Sequence, residues 1–491
     1  MGRNAIWSIL NQSVGQFLVL AVFLVTARFV SKEDFGVIAV CLLIVEFIRH
    51  IIAESVVTTL LAKREPGARD YNAAFWAVLA GHSIAALCVL ASAGPVADFM
   101  KDARIEDTLR FLSVLIVTLG LSKIHEAWLA KNYQFKKLAL RSLLSILAGG
   151  AAGIWLALGG HGLVALIVQQ IVTAVVSTLW LWCATPWKPG FETGRENFAP
   201  LLSYARHVSA ASIIRFCDGH IDILMASFYL GPAATGAYNA GKRIVTAIAL
   251  MFNAGLNAVA LPVMAGRAGE AARTAQGFLK WMKYSTLTTA PIYAGFIVMA
   301  PELIDALLGD KWAEVAPVAA ILAATTLVSA LSQIKMNIFL TQGKPHWQTA
   351  MMLIACVLNI LFLLVFVRYG LNAMAWALFL RAALLYPFLS WLTLRELRIG
   401  TRAYAGAIAA PLFSALLMAV SIWLFKHYGL HGFGAWTRIA LCVPAGMALY
   451  GYLIGALDRK SARELYQIAG ETLFRRKERL PPIDLKKKQG G

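Results

Sequence analysis

Apolar residues run through this chain in blocks of about twenty or more, separated by short polar joints. About twenty such residues, wound as a helix, cross the hydrocarbon core of a bilayer. The blocks fall near residues 5–27, 36–61, 73–96, 109–130, 138–158 and 162–184. After the polar stretch WKPGFETGRENFAP they resume near 201–230, 236–262, 281–303, 315–340, 347–367 and 371–394. Two more, 404–425 and 437–457, close the series. The pattern predicts an all-α polytopic membrane protein of about fourteen helices, because only fully hydrogen-bonded helices or closed barrels span lipid. The first block runs straight into Arg28-Phe-Val with no small-residue cleavage site, so it reads as a retained span rather than a signal peptide.

Polar residues inside these blocks carry the functional information. In block 36–61, Glu46, Arg49, His50 and Glu54 project within an arc of about 140° at 100° per residue. Charge in the membrane core is costly and faces a bundle interior or a water-filled path. This helix therefore reads as a cavity wall. The alternative is a structural cluster, with Glu46–His50 and His50–Glu54 pairing at i,i+4. Block 201–230 places His207, Arg215, Asp218 and Asp222 within about 80°. There an Arg with two acids one and two turns away either neutralises itself or meets an anionic ligand while an Asp takes up H⁺ or Na⁺. Block 236–262 adds Lys242, Arg243, Thr246, Asn253 and Asn257 on one face. Lys242 and Arg243 either line the cavity or snorkel at the outer interface. Asn253 and Asn257 are ligand contacts or helix–helix hydrogen bonds.

Other polar positions are Ser8, Asn11, Gln12 and Gln16 in the first span, then Lys123, His125, Glu126, Lys335, Asn337 and Arg381. Several lie near span ends, where snorkelling explains them, and His82 reads as a packed histidine. Pro291 and Gly255 are candidate kinks. In-membrane cations (Arg49, Arg206, Arg215, Lys242, Arg243, Lys335, Arg381) outnumber the acids Glu46, Glu54, Asp218 and Asp222. That excess suits an anionic cargo with a phosphate or pyrophosphate head, which Arg binds bidentately. The expected cavity ligands are Arg49, Arg215, Lys242, His50, Asn253 and Asn257. Glu46, Glu54, Asp218 and Asp222 are expected to balance charge or bind a coupling ion.

Composition agrees with a membrane protein: 59% of residues are hydrophobic, 14% charged, and mean hydropathy is +0.67. A soluble domain carries about 25% charge. The net charge of +19 lies largely in short joints and the tail, which argues for topology rather than nucleic acid. Lys63, Arg64, Arg69, Lys131, Lys136, Lys137 and Arg141 share one side with the basic tail, against sparser Lys32, Lys101, Arg104 and Lys311 on the other. Both termini are thus expected in the cytoplasm. The six cysteines lie in apolar runs without metal-ligand spacing and read as buried structural residues, with no metal. No P-loop, catalytic triad or paired catalytic carboxylate stands out, and no outer joint exceeds about a dozen residues. A non-enzyme is expected, with no cofactor beyond H⁺ or Na⁺ coupling.

The chain also repeats itself. Residues 28–36 (RFVSKEDFG) align with 228–236 (FYLGPAATG), and 160–166 (GHGLVAL) with 368–374 (RYGLNAM). Offsets of about 200 residues, with six spans between members, indicate a parallel six-plus-six repeat of the kind many transporters use. The expected organisation is an N-lobe at 1–185, a cytoplasmic joint at 186–200, a C-lobe at 201–395, an extra helix pair at 396–457 and a basic tail at 458–491. The tail sets topology and attracts anionic lipid headgroups.

Four ordered motifs resemble bacterial polysaccharide (Wzx-type) flippases: ARFVSKEDFG (27–36), KNYQFKKLALRS (131–142), the 215–239 stretch RFCDGHIDILM…FYLGP…TGAYN, and PELIDALLGDKW (301–312). The resemblance covers residues 1 to about 395. It implies the multidrug/oligosaccharidyl-lipid/polysaccharide exporter fold, two six-helix lobes around a central cavity, working by alternating access. It also implies flipping of undecaprenyl-pyrophosphate-linked repeat units across the bacterial inner membrane for exopolysaccharide, capsule or O-antigen (lipopolysaccharide) assembly. The partners it implies are that lipid-linked oligosaccharide, bilayer lipids, and polymerase and chain-length proteins; a monomer is expected. Competing readings are a multidrug exporter or peptidoglycan-precursor flippase of the same fold, and a membrane polymerase or non-transporting scaffold.

Overall fold

The computed structural model describes residues 2–193, 195–265, 271–341 and 344–458. The side chains of Ser8, Asn11, Gln12, Arg206, His207, Asn253, Asn257 and Asn337, and the tail after Asp458, lie outside the described residues. The first six helices are α1 (Gly2–Phe29), α2 (Lys32–Ala62), α3 (Ala68–Met100), α4 (Arg104–Lys131), α5 (Phe135–Leu158) and α6 (Gly162–Ala184). A single helical run, Arg195–Ala265, breaks at Gly231, whose φ of 84° is non-helical. It supplies α7 (195–230) and α8 (232–265). Then come α9 (Ala271–Leu308), α10 (Val315–Thr341), α11 (Pro345–Phe366), α12 (Leu371–Glu396), α13 (Thr401–Leu424) and α14 (Ala435–Leu457). The described residues thus form fourteen long helices. Ten are long and apolar enough to cross a bilayer by length and composition alone.

Several helices run past their apolar blocks. Helix α9 has 38 residues, about 57 Å at 1.5 Å per residue, well beyond the hydrocarbon thickness. Local chemistry sets the ends. Ser31 caps α2 by accepting the Asp34 N–H at 3.1 Å, and Glu33 and Asp34 complement the positive helix start. Gly370, at φ 96°, precedes α12 as Gly162 opens α6, so the second echo in the sequence marks equivalent corners.

Within the first half, α3 packs on α4, α5 on α6 and α1 on α5; within the second, α10 packs on α9 and α12, and α11 on α12. The halves meet where α2 runs beside α7 and α8. There the first echo becomes a reciprocal contact. A Cβ at Gly36 would lie 1.9 Å from the Pro232 carbonyl oxygen, and one at Gly236 would lie 1.9 Å from that of Lys32. Residues 32 and 36 of one copy therefore grip 232 and 236 of the other. The backbones approach that closely only because both positions lack a side chain.

Helices α13 and α14 attach to the flank of α9 rather than to the seam. Met418, Ile422 and Cys442 cluster with Met299, while Glu302 pairs with Lys426 at 3.0 Å and Arg438 at 3.3 Å. One expectation needs correction: Cys41, Cys356 and Cys442 are buried, but Cys88 and Cys183 face outward. An apolar run in a membrane helix has a lipid-facing side as well as a buried one, so residence in such a run does not imply burial.

Replacing Gly36 or Gly236 by Ala is expected to destabilise the protein by about 1–3 kcal/mol through overpacking. Gly406→Ala, where nothing stands within 4 Å of the new methyl, should be neutral or slightly stabilising. Thermal midpoints in detergent check this; equal midpoints for all three would contradict the close crossing.

Candidate functional site

At the end of α1 away from Gly2, the α1–α2 corner is clamped to the α9–α10 corner. Trp312 Nε1 donates to the Ala27 carbonyl at 3.0 Å, Arg28 Nη2 to that of Ala306 at 3.0 Å, and Lys32 pairs with Glu314 at 2.6 Å. Lys311 Nζ donates to the carbonyls of Arg28 and Val30 at 2.9 and 3.0 Å. Burial, with neighbouring Lys32 second, pushes the Lys311 ammonium below the ordinary lysine range. The clamp thus holds like charges together, a repulsion that opening would relieve.

Below this seal, a cavity of about 300 Å³ lies between the halves. Its lining includes Phe23, Phe35, Glu46, Gln169, Gln170, His220, Asn239 and Arg243. Arg243 packs its guanidinium over the Phe23 ring at 5.0 Å and has no carboxylate partner among the described residues. Phe23 meets Phe35 edge-on at 5.3 Å, and Phe35 meets Trp312 at 5.8 Å. An aromatic column therefore connects the cavity cation with the seal. At the other end, beyond Glu46, buried Phe216 packs on Phe47 at 5.2 Å and on His50 at 5.7 Å.

The expected cluster on α2 is present, but its spacing differs because residues Arg49–Glu54 wind as a π-helix. Such turns often mark functional sites. Arg49 donates to Glu46 Oε2 from Nε at 2.8 Å and from Nη2, and its Nη1 lies 3.4 Å from Glu54. His50 sits 3.8 and 3.6 Å from the same two carboxylates. Arg49 is therefore already matched by acids of its own helix.

A second hollow of about 160 Å³ lies inside the second half, between α7, α8, α10 and α12. It holds Asp218 and Asp222, and of the two alternatives for α7 the self-neutralised one, with Arg215 paired to these acids, is not what forms. Arg215 is exposed and bonds Ser212 Oγ at 3.0 Å, whereas Asp218 pairs with Arg381 and Asp222 with Lys242 at 2.7 Å. The acids turn into the half and meet cations from α12 and α8, so proximity along α7 does not decide their partners. Lys242 points inward to Asp222 instead of snorkelling outward, and Tyr238 Oη donates to Asp222 at 2.5 Å. Lys335 likewise does not snorkel: it is fully buried, donates to Ser390 Oγ at 2.5 Å and lies 3.3 Å from the Tyr386 ring centroid.

Of the expected site residues, the structure brings Glu46, Arg49, His50 and Glu54 together on α2, and Lys242, Asp218 and Asp222 in the inner hollow. Arg215 lies apart from both acids. Arg243, His220, Gln169, Gln170 and Asn239 line the central cavity but fall outside the expected ligand set. Arg243 was legible as an in-membrane cation, but the two amides on α6 carried no periodic charge signal.

The family described as "Polysaccharide biosynthesis protein" matches residues 25–317. The chain belongs to that family. It is 25% identical over 474 residues, 95% of each chain, to the succinoglycan biosynthesis transport protein ExoT of Rhizobium meliloti. It is 20% identical over 330 residues, 67% of each chain, to the lipopolysaccharide biosynthesis protein WzxC of Escherichia coli. Among solved structures, the lipid II flippase MurJ in its inward closed conformation superposes with a TM-score of 0.73 at 14% identity, covering 92% of this chain and 99% of that one. An inward-facing multidrug resistance MATE transporter of the MOP superfamily gives 0.59 at 15% identity, covering 80% of this chain and 99% of that one. The fold is therefore that of the MOP transporters, and the chain is a multi-pass membrane protein.

Asp218→Asn and Arg381→Gln should each lower stability, while the double variant recovers part of the loss, with a coupling of about 1–3 kcal/mol. A double-mutant cycle on thermal midpoints measures it. Strict additivity would mean the pair contributes nothing.

Proposed function

We propose that this protein flips undecaprenyl-pyrophosphate-linked oligosaccharide repeat units across the bacterial inner membrane by alternating access, both termini lying in the cytoplasm. The observation that carries this reading is Arg243, a guanidinium in a cavity between the halves with no carboxylate partner among the described residues. A buried charge is tolerated when a partner completes it, and a phosphate head is the partner Arg is shaped to bind. Gln169, Gln170 and Asn239 add amide groups for the remaining oxygens or for sugar hydroxyls. A cavity of about 300 Å³ takes a pyrophosphate head and about one sugar ring, so the rest of the repeat unit needs the halves to part. The lipid tail stays in the bilayer, where leaving would expose apolar surface.

In this cycle the seal opens once the opposite face has closed around Phe216. Arg49 and Arg215 serve at the entrance rather than as the main head ligands, and His50 sits beside the aromatic contact that closes it. Asn253 and Asn257, farther along α8, remain proposed contacts. A protein acting alone, with a polymerase and chain-length proteins receiving its product, completes the proposal. The relatives' names support it: ExoT is a transport protein of succinoglycan biosynthesis, and MurJ, whose fold this chain shares, is a lipid II flippase.

Deleting the gene should abolish surface polymer and trap full-length lipid-linked repeat units on the cytoplasmic leaflet. Arg243→Ala should reproduce most of that loss, about tenfold or more in polymer yield, while Arg243→Lys retains part. Quantifying lipid-linked oligosaccharides in each leaflet decides it. Normal polymer with altered drug tolerance would point to a multidrug exporter instead.

A further inference from the structure

Lys242 and Arg243 are neighbours on α8 but line different cavities, Arg243 the one between the halves and Lys242 the hollow inside the second half. The wall between them is the stretch 218–222 of α7. Gly219 faces the hollow and His220 the central cavity. Lys242 Nζ donates to the Gly219 carbonyl at 2.6 Å and to the two Asp222 oxygens at 2.9 and 2.7 Å. The ammonium therefore stands on this wall, one residue from the central cavity, on a flexible four-carbon stem.

We infer that Lys242 is shared between the two cavities. It neutralises Asp222 while the central cavity is empty, moves to the phosphate head bound beside Arg243, and leaves Asp222 to take up one proton. The inference rests on the phosphate-head reading above and adds a proton step to it. The ammonium keeps its hydrogens and charge, one O–H bond forms on Asp222 with a proton supplied by water, and no bond of the cargo breaks.

The surroundings of Asp222 favour this outcome. It is 4% exposed, and a buried carboxylate stripped of its cation is an uncompensated charge. Tyr238 on α8 already donates to it. On its own helix it neighbours Asp218 and His220. Arg381 of α12 spends its Nη1 on Asp218 and the Ala355 carbonyl and makes no ion pair with Asp222. From α10 come the uncharged Thr325 and Thr326, and from α11 Asn359, which bonds the Asp218 carbonyl at 3.0 Å. Across the seam, Glu46 lines the central cavity with His220, and His50 packs on Phe216, which the His220 ring also meets. Buried Arg381 Nε and Asn359 Oδ1 have no protein partner, which suits water delivering the proton through the hollow. In the empty state the tethered ammonium holds both Asp222 oxygens, the position a Na⁺ ion would need.

The test uses the full chain in lipid nanodiscs and farnesyl-pyrophosphoryl-glucose, a pyrophosphate diester with no titration of its own near neutral pH. Calorimetry in buffers of different ionisation enthalpy should show about one proton taken up per molecule bound at about pH 7. Asp222→Asn should bind with no uptake. Lys242→Gln should bind several-fold more weakly, also without uptake, because its Asp222 is already protonated. If Asp222→Asn fails to fold, the Asp222→Asn/Lys242→Gln double variant, which removes both charges, takes its place. Binding without uptake in the parent protein, or equal uptake in Asp222→Asn, overturns the Lys242 step alone. No binding by the parent protein, or unchanged binding in Arg243→Ala, overturns the phosphate-head reading and this step with it.

Discussion

The arrangement of the two halves depends on one close approach, where α2 crosses α8 with Gly36 on the Pro232 carbonyl and Gly236 on that of Lys32. Lipid tails are as apolar as leucine, so membrane helices gain little from apolar burial alone and associate through tight packing and hydrogen bonds. Two glycines at equivalent places in a repeat supply such packing symmetrically. From this crossing the seal extends to one side, through Lys32–Glu314 and Trp312, and the central cavity to the other. The aromatic column Trp312–Phe35–Phe23 ties them together and ends on Arg243.

Charge follows a related economy. Glu46 and Glu54 answer Arg49, Asp218 answers Arg381, Asp222 answers Lys242, and Glu126 answers Lys123 and Arg141. Lys335 is covered by aromatic rings and a hydroxyl. Each pairing lowers the burial cost of a charge and fixes helices against one another. Arg243 departs from this pattern among the described residues. Like Lys335 and Arg215 it meets no acid among the described residues, but of these three it is the one that lines the cavity between the halves.

Much of the fold was legible in the sequence because apolar blocks, basic joints and the 28–36/228–236 echo are local signals. The helix count and the helical class follow from them, and so does the equivalence of Gly162 and Gly370. Partner choice was less legible. Arg215 lies one turn from Asp218 in sequence, yet Asp218 meets Arg381, 163 residues away, because α12 packs beside α7 there. The π-turn at 49–54 was hidden as well, since hydrophobic periodicity does not report one extra residue in a turn. Outward-facing Cys88 and Cys183 show a third limit: where lipid is the solvent, an apolar stretch does not reveal its buried side.

The most direct test of the account concerns the seal. In a cysteine-free background, Lys32→Cys and Glu314→Cys place two thiols across it, within reach of a cleavable bis-maleimide added to intact cells. If the halves part along this seam to release cargo on the outer face, cross-linking should abolish surface polymer and reductive cleavage of the linker should restore it. Wild-type polymer from fully cross-linked protein would contradict the account, because the cargo would then cross without the seal opening.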